Sequence, residues 1–454
     1  MDTMKPAVDA IKRPLAREPR PNLLQQAPLI GLCLFFAFLF LRPGDLIPEL
    51  VPLRPVLSAL VLAVIAYVMT GRRIVFLRYD SAKWLLALLL MMGLSTMFSY
   101  WPGGSTGITI NFVKEIVAFV LIANIVTNHR EMRRVIVVIA LCNAALALFA
   151  IKDFMSGHFT RGRIQGVVGG LFSDPNDLAL SLVTAVPLVY WLIQRQTHPT
   201  RRLLYTSLLG VIVGGVVASQ SRGGFIALLA VVLLVLRVSR QKRLAIAAGV
   251  AILVAVIVIA PDGAFERFST IKNFDQEETS RIRLHMWKSG LAMFLDHPVT
   301  GVGTGMFSVA YGQDYRSPDF PYNTWWTAHN SVIQVAAELG LPGLVLWFGL
   351  IASGLATLRR TRAQLGAAGP ESADLSEAGQ LNIALRNALF GFLIGALFLS
   401  RAYDWLLVIV LGLILAGYRM TEPGSGRVRR PESVSSGMRP AGAGPNLDSG
   451  RGVP

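Results

Sequence analysis

His329, Arg222 and the pair Arg281 and Arg283 are the residues of this chain best suited to chemistry. His329 stands in Tyr-Asn-Thr-Trp-Trp-Thr-Ala-His-Asn-Ser (residues 322–331), where a polar, aromatic stretch runs into an apolar one. A histidine there titrates near neutral pH and can take a proton from a hydroxyl. A lone histidine is more often a helix cap than a catalyst. The adjacent Trp325 and Trp326 can stack on sugar rings or belong to an interfacial aromatic belt. Arg222 lies in Ser-Gln-Ser-Arg-Gly-Gly (residues 219–224), at the head of an apolar run. If that run is helical, free N–H groups, a positive dipole end and a guanidinium converge on one point, an anion site suited to phosphate. The plainer alternative is a capped helix end whose arginine snorkels to lipid headgroups. Arg281 and Arg283 are two residues apart, so on a helix they point in different directions and one of them faces any given site. Glu277 and Glu278, just upstream, are alternative partners for both.

The elements that position these residues are membrane helices. The chain has 454 residues, 53% of them hydrophobic and only 15% charged, with a mean hydropathy of +0.53. Soluble chains carry about 25% charge, and here the apolar residues come in long blocks. A bilayer core needs about 20 apolar residues per helix. Twelve spans are expected, near 28–41, 53–69, 82–98, 108–126, 135–151, 177–193, 203–218, 223–238, 244–260, 334–358, 383–398 and 404–418. The first is the shortest; it follows a basic segment but has no small-residue cleavage site, and reads as an uncleaved anchor. The expected fold is an all-α polytopic membrane protein with about twelve transmembrane helices and one large outer loop between spans nine and ten. The parts are a basic cytoplasmic N-tail (1–27), spans one to nine (28–260), the loop (261–330), spans ten to twelve (331–418) and a disordered C-tail (419–454) rich in Gly, Pro, Ser and Arg.

The net charge of +16 would raise the question of nucleic acid in a soluble protein. With the N-terminus inside, 28 of the 43 Lys and Arg fall in cytoplasmic segments and 13 in outer ones. The excess is therefore a topology signal of the positive-inside kind, with both termini cytoplasmic. No nucleic-acid partner is needed to explain it. The outer arginines become informative, because outer loops keep few of them without reason.

The outer loop is expected to hold an amphipathic helix with Trp287, Leu291, Phe294 and Leu295 at i, i+4, i+7 and i+8. Asp296-His297-Pro298 ends it, and Gly301-Val302-Gly303-Thr304-Gly305 makes a turn. After His329, a polar stripe of Ser331, Gln334 and Glu338 enters the membrane, and Gly340-Leu341-Pro342-Gly343 breaks the helix. A buried Glu338 is costly enough to suggest function, or it hydrogen-bonds within the bundle. Asp174, Pro175, Asn176 and Asp177 open span six as an ordinary capped start, and Arg163 is a further outer arginine. Lys114 and Glu115 are adjacent and diverge around their helix. Cys33 and Cys142 both sit inside spans. His and Cys do not cluster as metal ligands, and no Walker or dinucleotide glycine loop is present, so neither metal nor cofactor is expected. No internal repeat suggests a transporter built from two halves.

Taken in order, Gly-Arg-x-Gln-Gly (162–166), Asp-Pro-Asn-Asp-Leu-Ala (174–179), Ser-Arg-Gly-Gly (221–224), Arg283 to Trp287, Asp-His-Pro (296–298), Gly-Val-Gly (301–303), His-Asn-Ser-Val (329–332) and Glu-Leu-Gly-Leu-Pro-Gly (338–343) form a pattern. It resembles the O-antigen ligase and polymerase family of bacterial envelopes, over about residues 160–350. The resemblance implies a metal-independent, inverting transfer of a glycan from a polyprenyl (undecaprenyl) diphosphate carrier to a glycan or lipid A-core acceptor, at the periplasmic face of the inner membrane. It implies His329 as the base and Arg222 and Arg283 on the diphosphate, with Arg281 the ambiguous neighbour. Arg163, Asp174, Asn176 and Glu338 take lesser parts. A polymerase of the same family is the alternative. A flippase for lipid-linked sugars is the third reading; it requires polar residues along a path deep between spans, whereas here they gather at one face.

Overall fold

A computed structural model describes residues 22–157, 159–160, 163–164, 172, 174–238, 278–318, 320, 324–366 and 376–422. Its long helices are α1 (Leu23–Leu41), α2 (Pro55–Met69), α3 (Asp80–Met97), α4 (Pro102–Ile125), α5 (His129–Met155), α6 (Pro175–Gln194), α7 (Pro199–Ala218), α8 (Arg222–Val238), α9 (Glu278–Asp296), α10 (Ser331–Gly366), α11 (Glu377–Ala396) and α12 (Trp405–Thr421). Each expected span except the ninth overlaps one of these helices. Seven helical stretches among the described residues are long and apolar enough to cross a membrane. The ninth expected span, 244–260, lies outside the described residues, as do residues 1–21 of the N-tail and 423–454 of the C-tail. Between α5 and α6 a two-residue antiparallel ribbon pairs Phe159 with Ile164 and Thr160 with Arg163.

Local chemistry explains the helix starts. Pro opens α2, α4, α6 and α7, where its missing N–H costs nothing. Asn128 caps α5 by accepting the Glu131 N–H, while the Glu131 carboxylate accepts the Thr127 N–H. Asp174 caps α6 and Asp404 caps α12. Helix α1 begins at Leu23, five residues before the expected span, so the first span is not the shortest.

Small residues let the helices close on one another. The Gly31 position of α1 lies against Ala63 of α2, and Gly215 of α7 against Ala147 of α5, with no room for a Cβ. From Leu406 to Gly417, α12 is buried around its whole circumference, and α6 is nearly so. These two form the interior of the bundle. Asn143 and Ser181 hydrogen-bond across α5 and α6 (2.7 Å).

The expected loop helix is present as α9. Its stripe of Trp287, Leu291, Phe294 and Leu295 does not face the protein core: Leu291 and Leu295 are exposed. The buried face is Ile282, Met286, Ser289, Gly290 and Met293. That face packs with Val302, Phe307, Tyr311, Ala328 and Ala337 in a core of its own, separate from the main bundle. A periodic apolar face on a membrane protein has two possible partners, protein or lipid, and here the protein takes the other side.

Candidate active site at the joined helix ends

One end of the bundle is tied by a band of ion pairs. Arg133 and Arg195 meet Glu377 (2.9 and 3.8 Å), and Arg360 meets Asp80 (2.9 Å). At the opposite end, the starts of α6, α8 and α10 converge with the turn Leu399–Asp404 that precedes α12. Asp174, Asn176, Arg222 and His329, at or next to these helix starts, therefore belong to one end of the bundle.

The start of α8 is built by Ser221. Its hydroxyl donates to Asn176 Oδ1 of α6 (2.7 Å) and accepts the Gly224 N–H (3.0 Å). A Cβ on Gly223 would touch Phe398, and one on Gly224 would touch Ala179 and Ser221. The two glycines after Arg222 thus let α8 close against α6 and the end of α11. Arg222, the first residue of α8, is half-buried. Because Ser221 already caps one amide, an anion binding here would meet the guanidinium and helix-start amides other than that of Gly224.

Asp174 accepts from both the backbone N–H (2.7 Å) and the side-chain amide (2.8 Å) of Asn176. This is the expected helix start, with more attached to it. Asn176 reaches α8 through Ser221. Asp177 receives two hydrogen bonds from Arg401, which also contacts Asp404 (3.4 Å). Burial alone would lower the Arg401 pKa, but its hydrogen bonds to Asp177 and the charges of Asp404, Asp177 and Asp174 outweigh that and raise it. Two carboxylates on one guanidinium leave this corner net negative. An anion is disfavoured in this corner.

The same turn holds His329. Its φ of 48° lies in the left-handed region, which costs about 1–3 kcal/mol for a non-glycine residue and persists only where neighbours enforce it. Here the His329 N–H donates to Ser400 Oγ (2.8 Å). Asn330 Oδ1 caps α10 by accepting from the Val332 and Ile333 amides (2.9 and 3.1 Å). Ser331 Oγ donates to the Leu399 carbonyl and accepts the Arg401 N–H, and Gln334 Oε1 accepts the Ala402 N–H. The half-buried His329 ring sits 6.2 Å from that of Trp326. Trp325 is exposed, its ring against Gly312.

Glu338 is fixed by the glycine turn. Its carboxylate accepts the Gly305 N–H (2.9 Å) and the Phe307 N–H (3.4 Å), with the Gln334 amide nearby and the Tyr403 hydroxyl buried beside it. The turn returns the bonds: Val302 and Gly303 donate to the Ala337 and Glu338 carbonyls, and the Pro298 carbonyl accepts the Leu341 N–H (2.8 Å). Gly340 takes φ 66°, where α10 kinks. Gly301, also at φ 66°, leaves a Cβ only 2.2 Å from the Glu338 carbonyl carbon, so no other residue fits. Glu338 thus acts as a bond organiser within the bundle, away from the His329 end of the same stripe.

Of the loop arginines, Arg281 is exposed and Arg283 half-buried, on either side of the buried Ile282. Ile282 shares a core with Ala328, next to His329, with Trp326 packed against that core. Arg163 lies in the ribbon strand opposite Thr160; its side chain is outside the described residues. Lys114 bonds Asn111 (2.7 Å), and Glu115 is buried with one oxygen unpartnered. Among the described residues no three His, Cys, Asp or Glu side chains gather as metal ligands.

Sequence reasoning missed Arg401, Ser400, Ser221 and Asp177 as site-building residues. A signal for Arg401 was available: it is the one basic residue in the outer segment before α12.

Residues 207–348, under a third of the chain, match the model of a family described as O-antigen ligase. No curated protein matches the chain. The matched stretch holds Arg222, Arg281, Arg283, His329, the glycine turn and Glu338 together, in a helical bundle with membrane-length apolar helices. Over this stretch the chain is similar to the family described as O-antigen ligase.

Proposed function

We propose that the protein is an O-antigen ligase-like glycosyltransferase that moves a glycan from a polyprenyl diphosphate carrier to the hydroxyl of an acceptor such as lipid A-core. The observation that carries this reading is His329, held in a left-handed conformation by Ser400 within the family-matched stretch. His329 takes the proton of the acceptor hydroxyl, and the oxygen attacks the anomeric carbon opposite the diphosphate. The bond from that carbon to the diphosphate oxygen breaks, and its electron pair leaves with the carrier. Attack from the opposite side inverts the anomeric centre. Arg222 and Arg283 offset the charge developing on the leaving diphosphate, a role cations fill without a metal. Arg281, exposed on the loop helix, is the lesser candidate.

The excess of basic residues in the segments at the Glu377 end supports a cytoplasmic position for that end and for both termini. The His329 end then faces the periplasm from the inner membrane. The test is transfer by purified protein supplied with carrier-linked glycan and acceptor. His329→Ala abolishes transfer while carrier binding persists; full transfer by this variant sinks the assignment. Deleting the gene separates ligase from polymerase. Long chains accumulating on carrier support the ligase, and single repeat units on carrier overturn it in favour of the polymerase.

A further inference from the structure

We infer that α9 lies flat in the membrane surface, with Leu284, Trp287, Leu291 and Leu295 sunk into the leaflet on its side of the protein. These residues fall at i, i+3, i+7 and i+11, one face of a helix. Ile282, Met286, Ser289 and Met293 repeat the same kind of spacing on the opposite face, and they are buried in protein. The helix therefore carries two apolar faces. Among the described residues only one has a protein partner: Leu284, Leu291 and Leu295 are 45, 53 and 66% exposed, and Trp287 is half-buried. A loop helix surrounded by water places polar residues on such a face.

Continuity with the membrane helices identifies the partner. Helix α9 ends at Asp296, and two residues later the Pro298 carbonyl accepts the Leu341 N–H. Leu341 opens the half of α10 beyond the kink. The exposed Val299 follows Pro298 at this junction, and the exposed Leu341, Val345 and Phe348 fall at i, i+4 and i+7 along one side of α10. An apolar surface thus runs from the α9 stripe into the surface that faces acyl chains. Exposed Arg281 and Lys288 flank the stripe, where cations meet anionic headgroups while their stems cover apolar surface. The bilayer is the occupant that fits both the apolar stripe and its basic border. On the glycan-transfer reading, this also fixes Arg283, between the two faces, at the depth where a lipid-borne diphosphate lies.

The experiment uses the full chain with Cys33 and Cys142 replaced by Ala. Leu291→Cys, Leu295→Cys and, as an exposed control, Thr324→Cys each carry a nitroxide. The proteins are reconstituted in vesicles of phosphatidylethanolamine and phosphatidylglycerol. Collisions with oxygen, which concentrates in lipid, are compared with collisions with a water-soluble nickel chelate. Labels at 291 and 295 are expected to favour oxygen, at a depth of about 5–10 Å below the headgroups, and the label at 324 to favour nickel. Nickel access at 291 and 295 equal to that at 324 overturns the proposal. So does shielding from both reagents, which means that protein (residues 239–277 or a second copy) covers the stripe. The depth measurement needs no transfer activity, so its failure is distinct from failure of the glycan-transfer reading.

Discussion

Adding Asp177→Asn to an Arg401→Met variant should restore stability instead of removing more. The Arg401 side chain is 24% exposed, that of Asp177 12% and that of Asp404 5%. Arg401→Met therefore strands two largely buried carboxylates. Breaking a buried pair in this way costs about 3–5 kcal/mol; with this residual exposure the lower end, about 3 kcal/mol, applies. Asp177→Asn alone leaves Arg401 its contact with Asp404 and keeps an amide oxygen as acceptor. It loses charge assistance, about 1–2 kcal/mol. In the double variant one stranded carboxylate is gone, so the loss falls below that of Arg401→Met. The assay is an SDS titration of purified protein in detergent micelles, followed by tryptophan emission. A double variant less stable than Arg401→Met refutes the account, because additive losses mean that the two side chains do not share one interaction.

Gly301→Ala puts a methyl within 2.2 Å of backbone at a left-handed φ, so a loss of more than about 1 kcal/mol is expected in the same titration. Glu338→Ala orphans the Gly305 and Phe307 amides, at about 1–3 kcal/mol for each buried donor; Glu338→Gln, which keeps one acceptor, recovers part of this. His285 stacks on Phe320 with ring centres 4.0 Å apart, and burial followed by the charge of Lys288 lowers its pKa below 6.5. The unfolded chain then binds the extra proton more readily, so the α9 packing is fully stable above pH 6.5 and weakens as pH falls below it. Hydrogen exchange of α9 amides should accelerate through that window, and His285→Phe should flatten the response.

The grouping of helix starts at one end of the bundle was legible from the alternation of spans and charges along the chain. The starts of α6, α8 and α10 were expected on one side, and the structure joins them. Caps were legible too: Asp174 and Pro175 announce α6 by local chemistry alone. What stayed hidden was which element each side chain meets. Arg401 stands out as an outer cation, but its partner Asp177 is 224 residues away, and no local pattern links them. The glycine turn was readable as a turn, whereas its exchange of bonds with Glu338 and the kink was not. For α9, periodicity marked an apolar face correctly and could not say whether protein or lipid covers it. The true core face, with Ser289 and Gly290, is weakly apolar and left little trace.

The Leu399–Asp404 turn also sets a schedule. Ser400, which holds His329, lies 71 residues further along the chain. At about 5–20 residues per second a ribosome needs several seconds to make that stretch. During that interval the helices bearing Arg222 and His329 exist without the turn that joins them. Until the turn is made, the His329 N–H lacks its Ser400 acceptor and Asp177 lacks Arg401. This end of the bundle therefore closes long after the helices that meet there have been made.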